Sequence, residues 1–169
     1  MFIKNGFKSF LFFPQIENLW EMWYNIYMKI KVINGPNLNL LGVREPNVYG
    51  EDTLENINKE LMAFAQENNI EISFFQSNVE GEIVDCLQEC FFQNYEGIII
   101  NAGGYSHTSV SIRDAIKSVK IPTVEVHISN IYAREDFRQK SIIAPVCKGQ
   151  ISGFGKNVYI LALVSFMMK

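Results

Sequence analysis

The chain has two histidines, His107 and His127, and each follows an apolar run that ends abruptly in polar residues. The first run exits into Asn101-Ala102-Gly103-Gly104-Tyr105-Ser106-His107. The second exits through Glu125-Val126-His127-Ile128-Ser129-Asn130, with Arg134 and Arg138 beyond it. An imidazole can hold or pass a proton near neutral pH. Alternation along an extended chain puts Glu125 and His127 on one face, where a carboxylate can orient the ring. Each histidine reads either as a pocket residue or as a satisfied residue at a strand end. Two of them at equivalent exits, beside small residues that let a ligand approach, point to one shared pocket. Arg134 and Arg138 stand four apart, so they share one side of a helix. That suits an anion site or a solvated face.

A second group lies upstream. Asn37 follows a Gly35-Pro36 turn signal. The long loop 35–50 carries Arg44 and Tyr49, with Gly42 and Gly50 placed as hinges of a lid. A cation nearby brings a tyrosine's ordinarily high pKa toward neutrality, which would make Tyr49 a base. The alternative is a loop aromatic that only packs. Together Asn37, Asn101, His107, His127, Ser129, Arg134 and Arg138, covered by Arg44 and Tyr49, suit a small hydroxylated anion.

The elements that must position these groups alternate. Strands are expected at residues 29–34, 70–76, 97–101, 122–127 and, more weakly, 148–153. Three isoleucines in a row at 98–100 fit a strand buried on both faces. Between the strands, Leu54, Ile57, Leu61 and Phe64 recur at helical spacing after Thr53, an N-cap. Ser77-Asn78 caps a second helix with Ile83, Leu87 and Phe91 inward. Thr108 or Ser109 starts a third, with Ile112, Ala115, Ile116 and Val119 inward. A short helix is expected at 131–140, and a buried terminal helix follows Phe154 or Gly155. Strand–helix alternation implies a parallel sheet with helices on both faces. The fold class is therefore α/β, doubly wound and flavodoxin-like, with five parallel strands. In such sheets ligands sit outside the carboxyl ends of the strands, where both histidines fall.

Composition narrows the function. With 169 residues, 48% hydrophobic and 20% charged, the chain fits one globular domain that can bury a core. A net charge of −3 argues against a nucleic-acid surface. Cys86, Cys90 and Cys147 show no C-x-x-C spacing, which suggests a reducing compartment such as the cytoplasm. Cys86 and Cys90 are four apart on a helical pattern, so one facing the core is expected rather than a metal pair. No structural zinc site is indicated. There is no G-x-x-x-x-G-K-[ST] and no G-x-G-x-x-G after the first strand, so no nucleotide phosphate cradle is expected. No G-x-S-x-G elbow occurs. The first 27 residues are aromatic and lack a clear period and a cleavage site. They are expected to be an extension outside the domain, with Met28 as the natural start and residues 28–169 as one catalytic domain. No stretch is long and apolar enough to span a membrane.

Four segments carry a resemblance. They are Val32-Ile33-Asn34-Gly35-Pro36-Asn37-Leu38-Asn39, Arg44-Glu45-Pro46 through Tyr49-Gly50, Asn101-Ala102-Gly103-Gly104-Tyr105-Ser106-His107-Thr108-Ser109, and Glu125-Val126-His127-Ile128-Ser129-Asn130 with Ala133-Arg134-Glu135 and Phe137-Arg138. In this order and spacing the chain from about Lys29 onward strongly resembles the type II 3-dehydroquinate dehydratases. The resemblance implies dehydration of 3-dehydroquinate to 3-dehydroshikimate, a step of the shikimate pathway. It implies an anti elimination through an enolate with no metal, no cofactor and no Schiff base. Tyr49 matches the base that takes the C2 proton, and Arg44 the lid arginine that favours its tyrosinate. Asn37 matches the residue that holds a water against the enolate oxygen. His127 matches the acid that protonates the leaving C1 hydroxyl, oriented by Glu125 and supported by Asn101. Ile128 and Ser129 match the donors to the substrate carboxylate. His107 and Arg138 match the ligands of the ring hydroxyls, and Arg134 the second lid-side arginine. Asp114 matches a residue that reaches a neighbouring subunit's site, within a homododecamer built as a tetramer of trimers. The rival readings are a flavodoxin-like binding module and a flavin carrier. A binding module has no need for a base on a covering loop, and a colourless purified protein would exclude the flavin carrier.

Overall fold

The computed structural model describes residues 28–42 and 52–168. Five strands form one parallel sheet: β1 (Met28–Asn34), β2 (Ile70–Gln76), β3 (Gly97–Asn101), β4 (Thr123–His127) and β5 (Gly149–Ser152). Their order across the sheet is β2-β1-β3-β4-β5, with every neighbouring pair parallel. Among the described residues four α-helices cover it: α1 (Leu54–Glu67), α2 (Glu80–Phe92), α3 (Val110–Val119) and α4 (Asn157–Met167). This is the doubly wound, flavodoxin-like order expected from the alternation.

Alternation within each strand splits the core in two. Ile30, Val32, Ile99, Val124 and Val126 pack with Ile57 and Leu61 of α1 and with Val158, Ala162 and Leu163 of α4. Ile33, Ile98 and Ile100 pack on the other face with Ile83 and Leu87 of α2 and Ile112 and Ile116 of α3. All five residues of β3 are buried. The central strand therefore feeds both cores, which is why it needs no polar alternation. Each of its fully buried isoleucines contributes on the order of 1.5–3 kcal/mol of apolar transfer.

The helix starts follow their capping chemistry. Thr53 Oγ1 accepts from the Asn56 amide at 3.2 Å and opens α1. Ser109 Oγ accepts from the Ile112 amide at 2.9 Å and opens α3. The start of α2 differs from expectation. Its cap residue is Val79, whose amide donates to Ser77 Oγ at 2.9 Å, while that hydroxyl also pairs with the Glu82 carboxylate. Asn78 caps nothing and serves the site instead.

Three further expectations need correction. Phe91 is 56% exposed, and α2 buries Ile83, Cys86, Leu87 and Cys90. A strict four-residue repeat overshoots the 3.6-residue turn by about 40° at each step, so the third member rotates off the buried stripe. Both members of the cysteine pair therefore face the core, not one. Residues 131–140 form no single helix but two 3₁₀ turns, Ile131–Ala133 and Asp136–Arg138, separated by Arg134 in extended backbone. Only Ile131 among the residues of those turns is buried, so no apolar stripe stabilises a longer helix. The start of the loop after β1 is built into the core. It contains a 3₁₀ turn, Leu38–Leu40, and buries Leu38 and Leu41 against the core.

Candidate active site

β1, β3 and β4 each end in a polar side chain at the same edge of the sheet. Asn34 pairs in register with Asn101, and His127 is the last residue of β4. The adjacent pair β1 and β3 is the point where the connections diverge, so the crevice opens there. A cavity of about 200 Å³ occupies it, lined by Asn37, Leu38, Leu41, Asn101, His107, His127, Ile128, Ser129, Arg134 and Arg138, among others. A volume of that size takes a small molecule, not a polymer strand. Among the described residues two arginines and no carboxylate line it, which favours an anion.

The backbone around the cavity is shaped by close approaches. Gly35 donates its amide to the Asn101 carbonyl at 2.7 Å, and a Cβ on Gly35 would lie 2.5 Å from the Ala102 carbonyl oxygen. Only glycine permits β1 and β3 to exit so close together. Asn37 then takes a left-handed conformation, φ 67°, which asparagine tolerates better than most residues. The Asn78 side chain holds it there by accepting the Asn37 amide at 2.9 Å, and Gln76 Nε2 braces the same Asn78 oxygen at 3.3 Å.

The imidazoles have defined partners. His127 Nε2 lies 2.7 Å from Glu125 Oε1, on the face that alternation predicts. A carboxylate accepts, so Nε2 carries the proton and Nδ1 is the nitrogen left for a ligand. Glu125 is fully buried and His127 only 6% exposed, so this pair is screened little by solvent. His107 Nδ1 donates to the Lys140 carbonyl at 2.9 Å, which leaves its Nε2 for a ligand. The two rings stack with centroids 6.2 Å apart.

The remaining polar groups are braced from behind. Asn101 Nδ2 donates to the Tyr159 hydroxyl at 3.0 Å, and that hydroxyl donates to Asn34 Oδ1 at 2.6 Å. Asn101 Oδ1 accepts the Gly103 amide at 3.3 Å. Burial pushes the Tyr159 hydroxyl up, against a smaller opposing effect of its bond with Asn101, so it stays a proton donor. Arg138 Nε lies 3.1 Å from a Glu135 carboxylate oxygen, an ion-pair distance at an angle too poor for a hydrogen bond. The same carboxylate lies 3.6 Å from Arg134 Nε, which helps hold both cations at the cavity rim.

Of the residues singled out in the sequence, the cavity brings together Asn37, Asn101, His107, His127, Ile128, Ser129, Arg134 and Arg138. Glu125 stands directly behind it. Asp114 does not line it; it is exposed on α3. Arg44, Tyr49 and residues 1–27 lie outside the described residues. Sequence reasoning missed Asn78, Ser141, Tyr159 and Asn34. Tyr159 reads as part of an apolar helix, and Asn78 reads as a cap. Ser141 Oγ lies 2.8 and 3.0 Å from the two oxygens of Glu125, across 16 positions, and no local pattern marks it.

Residues 28–167 match the class II dehydroquinase family. The chain belongs to that family. A 3-dehydroquinate dehydratase of Sulfurovum sp. is 61% identical over 137 residues, covering 81% of this chain and 84% of its own length. One of Nitratiruptor sp. is 59% identical over 138 residues, covering 82% and 88%. The crystal structure of a type II dehydroquinase from Butyrivibrio crossotus superposes with a TM-score of 0.82 at 47% identity, covering 85% of this chain and 99% of that one. The class II dehydroquinase family match starts at Met28, the first residue of β1. No helix among the described residues is long and apolar enough to cross a membrane.

Proposed function

We propose that this chain is a type II 3-dehydroquinate dehydratase, removing water from 3-dehydroquinate by anti elimination through an enolate. The observation that carries the reading is the Glu125–His127 pair at the end of β4, facing an anion-favouring cavity lined by Arg134 and Arg138. In this reading Tyr49, favoured as tyrosinate by Arg44, takes a proton from C2. The electron pair moves to the C3 carbonyl oxygen, and Asn37 holds a water against the resulting enolate. Collapse of the enolate forms the C1–C2 double bond and expels the C1 hydroxyl. His127, protonated on both nitrogens, donates from Nδ1 the proton that turns that hydroxyl into water and is left as the Nε2–H ring held by Glu125. Glu125 fixes the ring so that Nδ1, the nitrogen not bound to the carboxylate, points at the substrate. Ile128 and Ser129 receive the substrate carboxylate. His107, through Nε2, and Arg138 hold the ring hydroxyls, Asn101 supports the wall behind them, and Arg134 faces the covering side.

The proposed assembly is a homododecamer in which Asp114 reaches a neighbour's site. Its exposed place on α3 fits that role, and the exposed Phe91, Phe92 and Phe154 offer apolar surface for burial between copies. The proposed place of work is the cytoplasm, which suits three free cysteines. The test is to mix purified protein with 3-dehydroquinate and follow the ultraviolet absorbance of the conjugated enone product. Steady growth of the enone supports the proposal. A protein that binds 3-dehydroquinate and leaves it unchanged would be a binding module, and the proposal would fail.

A further inference from the structure

Residues 140–142 touch His107 directly and reach His127 through Glu125, both from behind and without lining the cavity. The Lys140 carbonyl accepts His107 Nδ1–H at 2.9 Å. The Ser141 hydroxyl lies 2.8 Å from Glu125 Oε1 and 3.0 Å from Oε2, while Oε1 also accepts His127 Nε2–H. Ser141 Oγ accepts the Ala144 amide at 3.0 Å, so its single proton is directed at the carboxylate; the other acceptor in range, the Ser106 carbonyl, is farther at 3.4 Å. The segment itself is pinned at both polar groups of the next residue. The Ile142 amide donates to the Ser106 carbonyl at 2.8 Å, and the Ile142 carbonyl accepts from Arg113 Nη1 on α3 at 2.8 Å.

We propose that Ser141 is the positioning residue of the acid, and that residues 140–142 form a strap that sets the orientation and tautomer of both imidazoles at once. Glu125 is fully buried, and a buried carboxylate needs more than one donor to stay in one rotamer. His127 supplies one and Ser141 the other. Without the hydroxyl the carboxylate can turn about its terminal torsion, and the ring loses the acceptor that keeps the proton on Nε2. The same strap fixes His107 through a backbone carbonyl, so the ring that holds the substrate and the ring that donates the proton are referenced to one rigid piece of chain. The kinetic part of this inference rests on the dehydratase reading; the structural part does not.

The experiment uses the full chain with ¹⁵N-labelled histidine, and Ser141→Ala and Ser141→Thr variants. Long-range ¹H–¹⁵N spectra of the neutral rings report each tautomer without any substrate. The parent is expected to show His127 as Nε2–H and His107 as Nδ1–H. Ser141→Ala should leave His107 unchanged and give His127 a mixed tautomer. With 3-dehydroquinate it should lower kcat about 10- to 100-fold with KM within about two-fold, and Ser141→Thr should restore most of kcat. A parent His107 on the Nε2–H tautomer would overturn the strap. Ser141→Ala with parental kcat and a pure Nε2–H His127 would overturn the positioning role. So would a threonine variant that folds and rescues neither kcat nor the tautomer. A parent with no turnover but the expected tautomers would instead count against the dehydratase reading alone.

Discussion

Replacing Glu125 by glutamine removes one charge and almost no volume. The carboxylate is fully buried, accepts His127 Nε2–H at 2.7 Å and lies within 3.0 Å of Ser141 Oγ at both oxygens. A glutamine can keep its carbonyl toward His127 and turn its amide toward Ser141, whose oxygen has a second lone pair to accept it. The fold should therefore survive. The bond to His127 changes from charge-assisted, about 1.5–3 kcal/mol, to neutral, about 0.5–1.5 kcal/mol. The difference of about 1 kcal/mol sets a floor of roughly five-fold on the loss of turnover. Complete loss of the acid sets a ceiling of about 10⁴-fold. Flipping of the amide also lets the ring take the wrong tautomer, so the expected fall in kcat is about 100-fold. Glu125 does not line the cavity, so KM should stay within about two-fold. Enone formation at saturating and at low 3-dehydroquinate separates the two parameters, and a thermal melt verifies folding. A folded glutamine variant with parental kcat, or one whose only defect is a raised KM, would refute the role given to this pair.

Other outcomes are expected. Tyr159→Phe removes the hydroxyl that bridges Asn101 and Asn34, leaving two buried amides short of a partner; it should cost about 2 kcal/mol and lower Tm by about 4–8 °C, and an unchanged melt would show that the bridge contributes nothing. Tyr49→Phe should abolish turnover while isothermal titration still detects 3-dehydroquinate binding; turnover like the parent's would remove Tyr49 from the role of base. Burial and, to a lesser degree, the charge of Glu125 push the Cys147 thiol up to about 12, above its usual 9.0. A folded pKa above the unfolded one leaves stability untouched below the unfolded value and erodes it above that value. Cys147 should thus resist iodoacetamide at pH 8 in the native protein and react after denaturation, and rapid native labelling seen by peptide mass spectrometry would contradict this. A chain beginning at Met28 should keep its specific activity and gain solubility; a smaller assembly by light scattering together with lost activity would show that residues 1–27 belong to the working enzyme.

The strands were legible because their signals are local and strong. The run Ile98-Ile99-Ile100 has one stable place in an α/β protein, between two cores, and β3 is found there. The cavity was legible for a related reason, since β1, β3 and β4 must deliver Asn37, Asn101 and His127 to one edge once the order is parallel. Residues 131–140 misled because charged, helix-compatible residues carry propensity but no buried face, and propensity alone does not hold a short helix in water. Phe91 misled because a spacing of four imitates the helical period only briefly. Ser141 and Tyr159 were invisible for a different reason. Their partners, Glu125 and the Asn34–Asn101 pair, lie far away in sequence, and a serine or tyrosine carries no mark of the hydrogen bond it will make after folding.

The elimination proposed for this chain is anti and begins with removal of a proton from C2. 3-Dehydroquinate deuterated stereospecifically at one C2 position tests it directly, with the isotopic content of the enone product read by mass spectrometry. Deuterium placed anti to the C1 hydroxyl should be lost, and deuterium placed on the same side should be retained. The opposite pattern, or loss from both positions during turnover, would contradict the mechanism assigned to Tyr49 and His127.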